Sequence, residues 1–466
     1  MPIPWLAITA PTATGPGLSA AAVVGPYMAV FFIAFAVTII ATPFMRILAV
    51  QNGIIDWPDH QRKAHLEPIA YLGGVGLLLG WVAGVVALYF VAPPEGAISP
   101  VDFRLSIVAG AIIVTATGLA DDVYGLSPRV KVGGQLFAAA ALTWGGVATG
   151  LIDDSFALLG VQLNPTVAYT LATAFITLLV VGGCNAMNLL DGLDGLAAGV
   201  AIIAVCGFLY IAINVTIGLS TPVPAEAAAA TDPSSTVNLA AAARANMGPI
   251  IIMSLALLGA LLGFLPYNFN PANIFMGDAG SLLLGYLCAA NILLFADVPP
   301  AEVGAPSRGP LFVLAALIVF GLPICDTALA IFRRKLRGQP IFSPDNQHMH
   351  HLLVRAGFGV KKSVLIMYSL ALFFAVLGCV MAALNTGRFA LAVFCVVFGF
   401  VAVTAYKVGH QQVLRDRRLK AGLPGDLAAP AGPEPNVATF LPPSAETAVL
   451  DKSEPSPNIA GAVRRN

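Results

Sequence analysis

The chain has 466 residues, of which 58% are hydrophobic and 10% charged, with a mean hydropathy of +0.84. Those values lie far from the range of soluble globular domains and indicate a polytopic membrane protein. The 24 Lys and Arg balance 24 Asp and Glu, so no global field favours nucleic acid as a partner.

The first charged residue is Arg46, so residues 1–25 read as an external N-terminal segment without the basic region of a cleavable signal peptide. At roughly 20 apolar residues per bilayer crossing, eleven helices are predicted, near 26–48, 71–92, 103–119, 131–149, 166–184, 194–217, 247–265, 280–297, 310–332, 363–385 and 388–408. With the N-terminus outside, 20 of the 24 basic residues fall on the cytoplasmic side, and only Arg104, Arg244, Arg308 and Arg388 lie outside. That asymmetry is a positive-inside signal. The expected fold is therefore an all-α polytopic membrane protein of about eleven transmembrane helices, N-terminus outside and C-terminus cytoplasmic. Residues 26–408 form its membrane domain. The Ala/Pro/Ser-rich stretch 218–246 reads as an external loop, and 409–466 as a disordered cytoplasmic tail. The six cysteines lie in apolar segments without a C-x-x-C pair and read as small core residues. No internal repeat suggests the inverted halves of a secondary transporter. An ion-coupled carrier, whose acids would sit near mid-membrane, is the alternative class.

On this topology the polar residues gather in cytoplasmic loops at 50–70, 120–130, 185–195, 266–280 and 333–362. Asp121 and Asp122 in "GLADDVYGLSPRVK" end a span at its partially negative C-terminus, so they need a compensating cation or a chemical task. In "NAMNLLDGLDG", Asn185, Asn188, Asp191 and Asp194 recur every third residue; the two acids also suit the N-terminus of the next helix, leaving capping as a rival. Asp278 in "GDAGS" sits among glycines that permit close approach of a ligand or metal. Asp326 within the ninth span is a functional candidate, with pairing to Arg333 or Arg334 as the structural alternative. His348, His350 and His351 beside basic residues suit a phosphate-holding loop, with zinc as the competing use. Oxygen ligands without cysteine favour Mg²⁺, with Mn²⁺ as a substitute. Hard acids, cations for phosphates and glycines at close approach are the inventory of phosphoryl transfer. No P-loop is present, which disfavours an ATPase. A cytoplasmic site at lipid depth points to a soluble phosphate donor and a lipid acceptor.

Over residues 50–410, five motifs in order, "DWPDHQRKAH…YLGG", "GLADDVYGLSPRVKVGGQ", "NAMNLLDGLDGLAAG", "NIFMGDAGSLLLGY" and "SPDNQHMHHLLVRAGF", resemble the polyprenyl-phosphate N-acetylhexosamine-1-phosphate transferases. That family includes WecA-like and TagO-like enzymes and, more distantly, MraY. The final motif resembles the WecA/TagO form, which favours UDP-N-acetylglucosamine over the UDP-muramyl-pentapeptide of an MraY-like enzyme. The resemblance implies that polyprenyl (undecaprenyl) phosphate attacks the β-phosphorus of a UDP-N-acetylhexosamine, releasing UMP at the cytoplasmic face of a bacterial inner membrane. The product is a lipid-linked pyrophosphoryl sugar for cell-envelope glycans. By motif position, Asp278 is implied as the Mg²⁺ ligand with Asn188 as a second. Asp121 is implied as the catalytic carboxylate with Asp122 as its partner, and Lys131 as the lipid-phosphate contact. Asn185, Asp191 and Asp194 are implied at the nucleotide, and Arg333, Arg334, His348, His350 and His351 at the pyrophosphate or sugar. A lipid phosphate is largely ionised at pH 7, its second pKa being about 6, so orientation by Asp121 weighs more than proton removal. Trp57 and Asn346 depart from the family pattern, where basic residues are common. A homodimer is compatible with the sequence.

Overall fold

The computed structural model describes residues 18–56, 68–88, 90, 105–220, 233–298, 307–336, 338, 348–384 and 399, with only the backbone of 220 and 233–246. The helices are α1 (Ala20–Gln51, with a 3-10 turn at Gly25–Tyr27), α2 (Gly73–Ala87), α3 (Leu105–Tyr124), α4 (Pro128–Trp144), α5 (Leu151–Ala157), α6 (Pro165–Leu190) and α7 (Leu196–Ser220). They continue with α8 (Pro233–Asn268), α9 (Gly277–Leu294), α10 (Gly309–Val319), α11 (Gly321–Leu336), α12 (Met349–Arg355) and α13 (Val360–Leu384).

Seven of these are long and apolar enough to cross a bilayer, or eight if α10 and α11 form one bent span. The chain is thus a polytopic helical membrane protein. Three predicted spans differ. Helix α2 has 15 residues, about 22 Å at 1.5 Å per residue, against a hydrocarbon core of about 30 Å. Helix α4 has 17 residues and opens on the polar run "PRVKVGGQ". The ninth predicted span divides into α10 and α11, bent by 72°. Pro323 explains the break: it lacks the N–H that would bond Val319, the last residue of α10, and its ring excludes that carbonyl. Gly321 admits the Phe374 ring of α13 into the bend, 2.5 Å from where a Cβ would stand. The eleventh predicted span, 388–408, and the tail 409–466 lie outside the described residues apart from Gly399. Residues 233–246, predicted as loop, continue α8 as helix. The all-α expectation misses one two-stranded ribbon, in which β1 (Ile55–Asp56) pairs antiparallel with β2 (Ile69–Ala70); Ala70 also bridges Ile274.

Helix α9 is the column around which the rest packs, and every residue in it except Asp278 is buried. Lipid tails provide no hydrophobic drive between helices, so close approach through small residues and interhelical hydrogen bonds must hold them. Both occur here. A Cβ on Gly285 would lie 2.3 Å from the Gly183 carbonyl oxygen of α6, and one on Gly74 of α2 would lie 2.1 Å from the Gly280 nitrogen. Gly110 of α3 makes room for Tyr286, whose hydroxyl donates to the Ile107 carbonyl at 3.1 Å. Ser254 of α8 donates to Asn291 Oδ1 at 3.1 Å. Cys184, Cys288 and Cys325 are buried in this packing as expected, whereas Cys206 faces outward.

Gly285→Val tests the column. It is expected to destabilise the detergent-solubilised protein by about 1–3 kcal/mol, the scale of an overpacked core, read as a lower thermal unfolding midpoint. An unchanged midpoint would contradict the α6–α9 contact.

Candidate active site

The site is built around the N-terminus of α9. Gly277 has a φ of +66°, and its missing side chain leaves room for Asp122, whose Oδ2 would be 2.5 Å from a Cβ there. Asp122 Oδ1 accepts from the Asp278 N–H at 2.8 Å and Oδ2 from the Ala279 N–H at 3.1 Å. The acid disfavoured at the C-terminus of its own helix α3 is thus compensated at the N-terminus of another. Its neighbour Asp121 turns elsewhere: Oδ1 accepts from the Leu126 N–H at 2.7 Å, and Oδ2 pairs with Lys131 Nζ at 3.0 Å. Lys131 also pairs with Asp278 Oδ2, so one ammonium bridges the two carboxylates. Asp278 Oδ1 accepts from Asn188 Nδ2 at 2.6 Å, and Asn188 donates again to Ser281 Oγ at 3.0 Å. Five expected site residues, Asp121, Asp122, Lys131, Asn188 and Asp278, therefore meet through direct contacts made by α3, α4, α6 and α9.

The loop 191–195 adjoins this cluster. Asp191 follows α6, and among the described residues its carboxylate has no hydrogen-bond partner. Burial, with the charges of Asp278, Asp122 and Asp194 behind it, pushes its pKa up to about 8. Asp194, which capping arguments placed on the following helix, instead braces another loop: its Oδ2 accepts from Asn270 Nδ2 at 2.8 Å and from the Ala272 N–H at 3.1 Å. The same 270s segment is held by Arg46 Nε on the Asn273 carbonyl at 3.1 Å and by Asn268 Nδ2 on the Ile274 carbonyl at 3.0 Å. Asn185 lies one turn before Asn188 on α6 but is engaged in helix packing, donating to Gln135 Oε1 at 2.9 Å and to its own helix at Val181.

The histidines form a second group docked on α11. His348 Nδ1 lies 2.9 Å from Asp326 Oδ2, and Oδ1 of the same carboxylate accepts from the Met349 N–H at 3.0 Å. Asp326 thus meets a histidine and a backbone N–H rather than ending as an unpartnered charge. The His350 ring stacks on His348 at 5.9 Å and lies 4.1 Å from His351, centroid to centroid. Burial, with the neighbouring imidazole of His351 behind it, lowers the His350 pKa to about 3, so it is neutral at physiological pH. Its Nε2 would be 2.3 Å from a Cβ on Gly192, which seats the histidine group against the 191–195 loop. Arg333 and Arg334 are buried in the last turn of α11, where cations suit the helix C-terminus.

Among the described residues no group of three or more His, Cys, Asp or Glu is arranged to hold a metal by itself. Mg²⁺ needs fewer protein ligands, typically one or two carboxylates completed by waters and phosphates. Asp278, Asn188 and the unpartnered Asp191 supply hard oxygen donors of that kind, so the residues fit the ion. Sequence reasoning passed over Tyr71, whose hydroxyl bonds to Asp56 and whose pKa is raised by burial, then by Asp56 and by Asp122 and Asp278 nearby. It also passed over Ser281, although the three-residue spacing from Asp278 places both on adjacent turns of one helix face. Trp57 and Asn346 lie outside the described residues.

Residues 104–296 match the family model described as glycosyl transferase family 4. The chain is 34% identical to a Bacillus subtilis protein named as a probable undecaprenyl-phosphate N-acetylglucosaminyl 1-phosphate transferase, over 74% of this chain and 82% of that one. It is 32% identical to the decaprenyl-phosphate N-acetylglucosaminephosphotransferase of Mycolicibacterium smegmatis, over 71% and 76% of the two chains. It is 29% identical to the phospho-N-acetylmuramoyl-pentapeptide-transferase of Moorella thermoacetica, over 72% and 90%. The chain belongs to glycosyl transferase family 4. The acids and glycines of the site fall within the matched region, whereas the histidine group lies beyond it and completes the site from the C-terminal side.

Two outcomes follow from the geometry. Asp122→Ala removes a cap from the buried column and is expected to cost about 0.5–2 kcal/mol of stability, whereas Asp121→Asn is expected to leave the thermal midpoint nearly unchanged. Equal losses would contradict the division of labour. For Asp191, the folded state holds a proton that the unfolded chain releases at ordinary carboxylate pH. The penalty is therefore absent near pH 4 and grows as pH rises to about 8. In the absence of divalent cations, Asp191→Asn is expected to be more stable than the parent at pH 8 and equal to it near pH 4, read from thermal midpoints across that range.

Proposed function

We propose that the protein transfers N-acetylglucosamine-1-phosphate from UDP-N-acetylglucosamine to polyprenyl phosphate, giving UMP and a polyprenyl-pyrophosphoryl sugar, as the first membrane step of a cell-envelope glycan. The observation that carries the reading is the Asp121–Lys131–Asp278–Asn188 cluster at the buried N-terminus of α9. It combines a cation for the acceptor phosphate with hard oxygens for Mg²⁺. The bound Mg²⁺ would supply neutralisation of pyrophosphate charge, held by Asp278 and Asn188 with Asp191 beside them. Lys131 binds the lipid phosphate, and Asp121 orients it. The 191–195 loop receives the nucleotide, and the His348–His351 group with Arg333 and Arg334 faces the pyrophosphate and sugar.

The donor assignment is supported by the names of the relatives: those at 32–34% identity are named as N-acetylglucosamine-phosphate transferases, and the one at 29% as a phospho-N-acetylmuramoyl-pentapeptide-transferase. The positive-inside count supports a cytoplasmic active site with the N-terminus outside.

Purified protein in detergent, with undecaprenyl phosphate, labelled UDP-N-acetylglucosamine and Mg²⁺, is expected to form labelled lipid and release UMP. Asp121→Asn and Asp278→Ala are each expected to lower turnover by at least about 100-fold, the scale of losing a charged group from a preorganised site. Absence of labelled lipid with every UDP-amino sugar tried would refute the reading.

A further inference from the structure

We infer that Lys131 is an internal counter-cation, holding Asp278 until a divalent metal binds there and then passing to the acceptor's phosphate. Metal and acceptor-phosphate binding are thereby coupled. This rests on the proposed function and adds an order of events to it. Three observations carry it. The Lys131 ammonium pairs with Asp278, the acid assigned to the metal, and with Asp121, so it stands where a cation between those carboxylates would stand. Asp278 Oδ1 is already taken by Asn188, so a metal approaching Oδ2 meets Lys131 directly. Two positive ions on one carboxylate oxygen repel each other, and this partly buried site screens them less than bulk water does. Lys131 retains an anchor as it leaves, because Asp121 is fixed independently by the Leu126 N–H. Swinging about Asp121, the ammonium has one set of partners before the metal arrives and needs a new anion afterwards. A phosphate monoester at the membrane boundary meets that need.

By reciprocity of binding free energies, each ligand must tighten the other to the same extent. The probe is Mn²⁺, whose binding to the detergent-solubilised full chain is read by electron paramagnetic resonance, without turnover. Lys131→Met is expected to bind Mn²⁺ about tenfold or more tightly in the absence of lipid, the scale of a partly buried charge pair. Arg129→Met removes an exposed charge two residues away on the same helix and is expected to leave Mn²⁺ affinity within twofold of the parent. Undecaprenyl phosphate, but not undecaprenol, is expected to tighten Mn²⁺ binding in the parent, and by a smaller factor in Lys131→Met.

The unsubstituted protein gives an independent reading. Isotopic reductive methylation followed by mass spectrometry is expected to modify Lys131 faster when Mg²⁺ is present, and more slowly again once undecaprenyl phosphate is added. An unchanged or weaker Mn²⁺ affinity in Lys131→Met, or Lys131 methylation that Mg²⁺ does not accelerate, overturns the inference. If the same preparation still forms labelled lipid, the transferase reading survives that result. A parent protein that binds no Mn²⁺ at a site sensitive to Asp278→Ala overturns both.

Discussion

The arrangement depends on the exchange of charge between two helix ends. Helix α3 ends, and α9 begins, at the same place, so the partially negative terminus of one faces the partially positive terminus of the other. Asp122 bridges them through both carboxylate oxygens. This satisfies two of the N–H groups that every helix leaves open at its start. The rest of the column is buried, so its start is best satisfied by the protein itself. With that cap in place, Asp278 is held at the first turn of α9 while its side chain stays free to meet Lys131 and Asn188. The glycines serve the same junction: Gly277 provides the positive φ, and Gly118 allows α3 to approach the Asp278 backbone, 2.4 Å from a notional Cβ.

Much of this was legible in the sequence, because hydropathy reports burial in lipid directly and the polar clusters stand out against it. The long spans α1, α3, α6, α7, α9 and α13 follow the predicted windows within a few residues. Hydropathy counts apolar residues but does not see backbone hydrogen bonding, so it ran through Pro323 and read α10 and α11 as one straight span. It likewise gave α2 and α4 the length of a full crossing, although neither reaches it as a helix. The acids show the same limit. Their presence at the site was legible from charge in an apolar chain, but their partners were not. Asp122 and Asp194 both hold backbone of distant segments, 156 and 78 residues away. No local rule of capping points across such separations.

The polarity of residues 185–195 in a lipid-soluble chain now has a physical account. That segment joins three parts of the site. Asn188 reaches Asp278, Asp194 holds the 270s loop, and Gly192 receives His350. Gly195, at a φ of +76°, turns the chain so that its N–H meets Asn268 Oδ1 at 3.2 Å and its carbonyl accepts from the Tyr368 hydroxyl at 2.6 Å. Asn185, Asn188, Asp194 and Gly195 thus have partners that a water-exposed loop would not need. Asp191 is the exception, an acid with no hydrogen-bonding partner among the described residues and three like charges nearby.

That exception separates scaffold from chemistry. A protein that needed these acids only for folding would pair all of them, because a buried carboxyl without a partner costs stability as soon as it ionises. Here Asp122 and Asp194 are taken up in supporting α9 and the 270s loop, whereas Asp191, within electrostatic reach of Asp278, makes no hydrogen bond among the described residues. Carboxyl groups crowd that side, where burial and the neighbouring charges keep a proton on Asp191 up to about pH 8, beside an ammonium shared by two carboxylates. The backbone that carries these groups is fixed before any ligand arrives, on a tightly packed column, and the Lys131 side chain alone has to change partners. A backbone held in that way lets the carboxylates act on a phosphoryl group with little reorganisation beyond that one side chain.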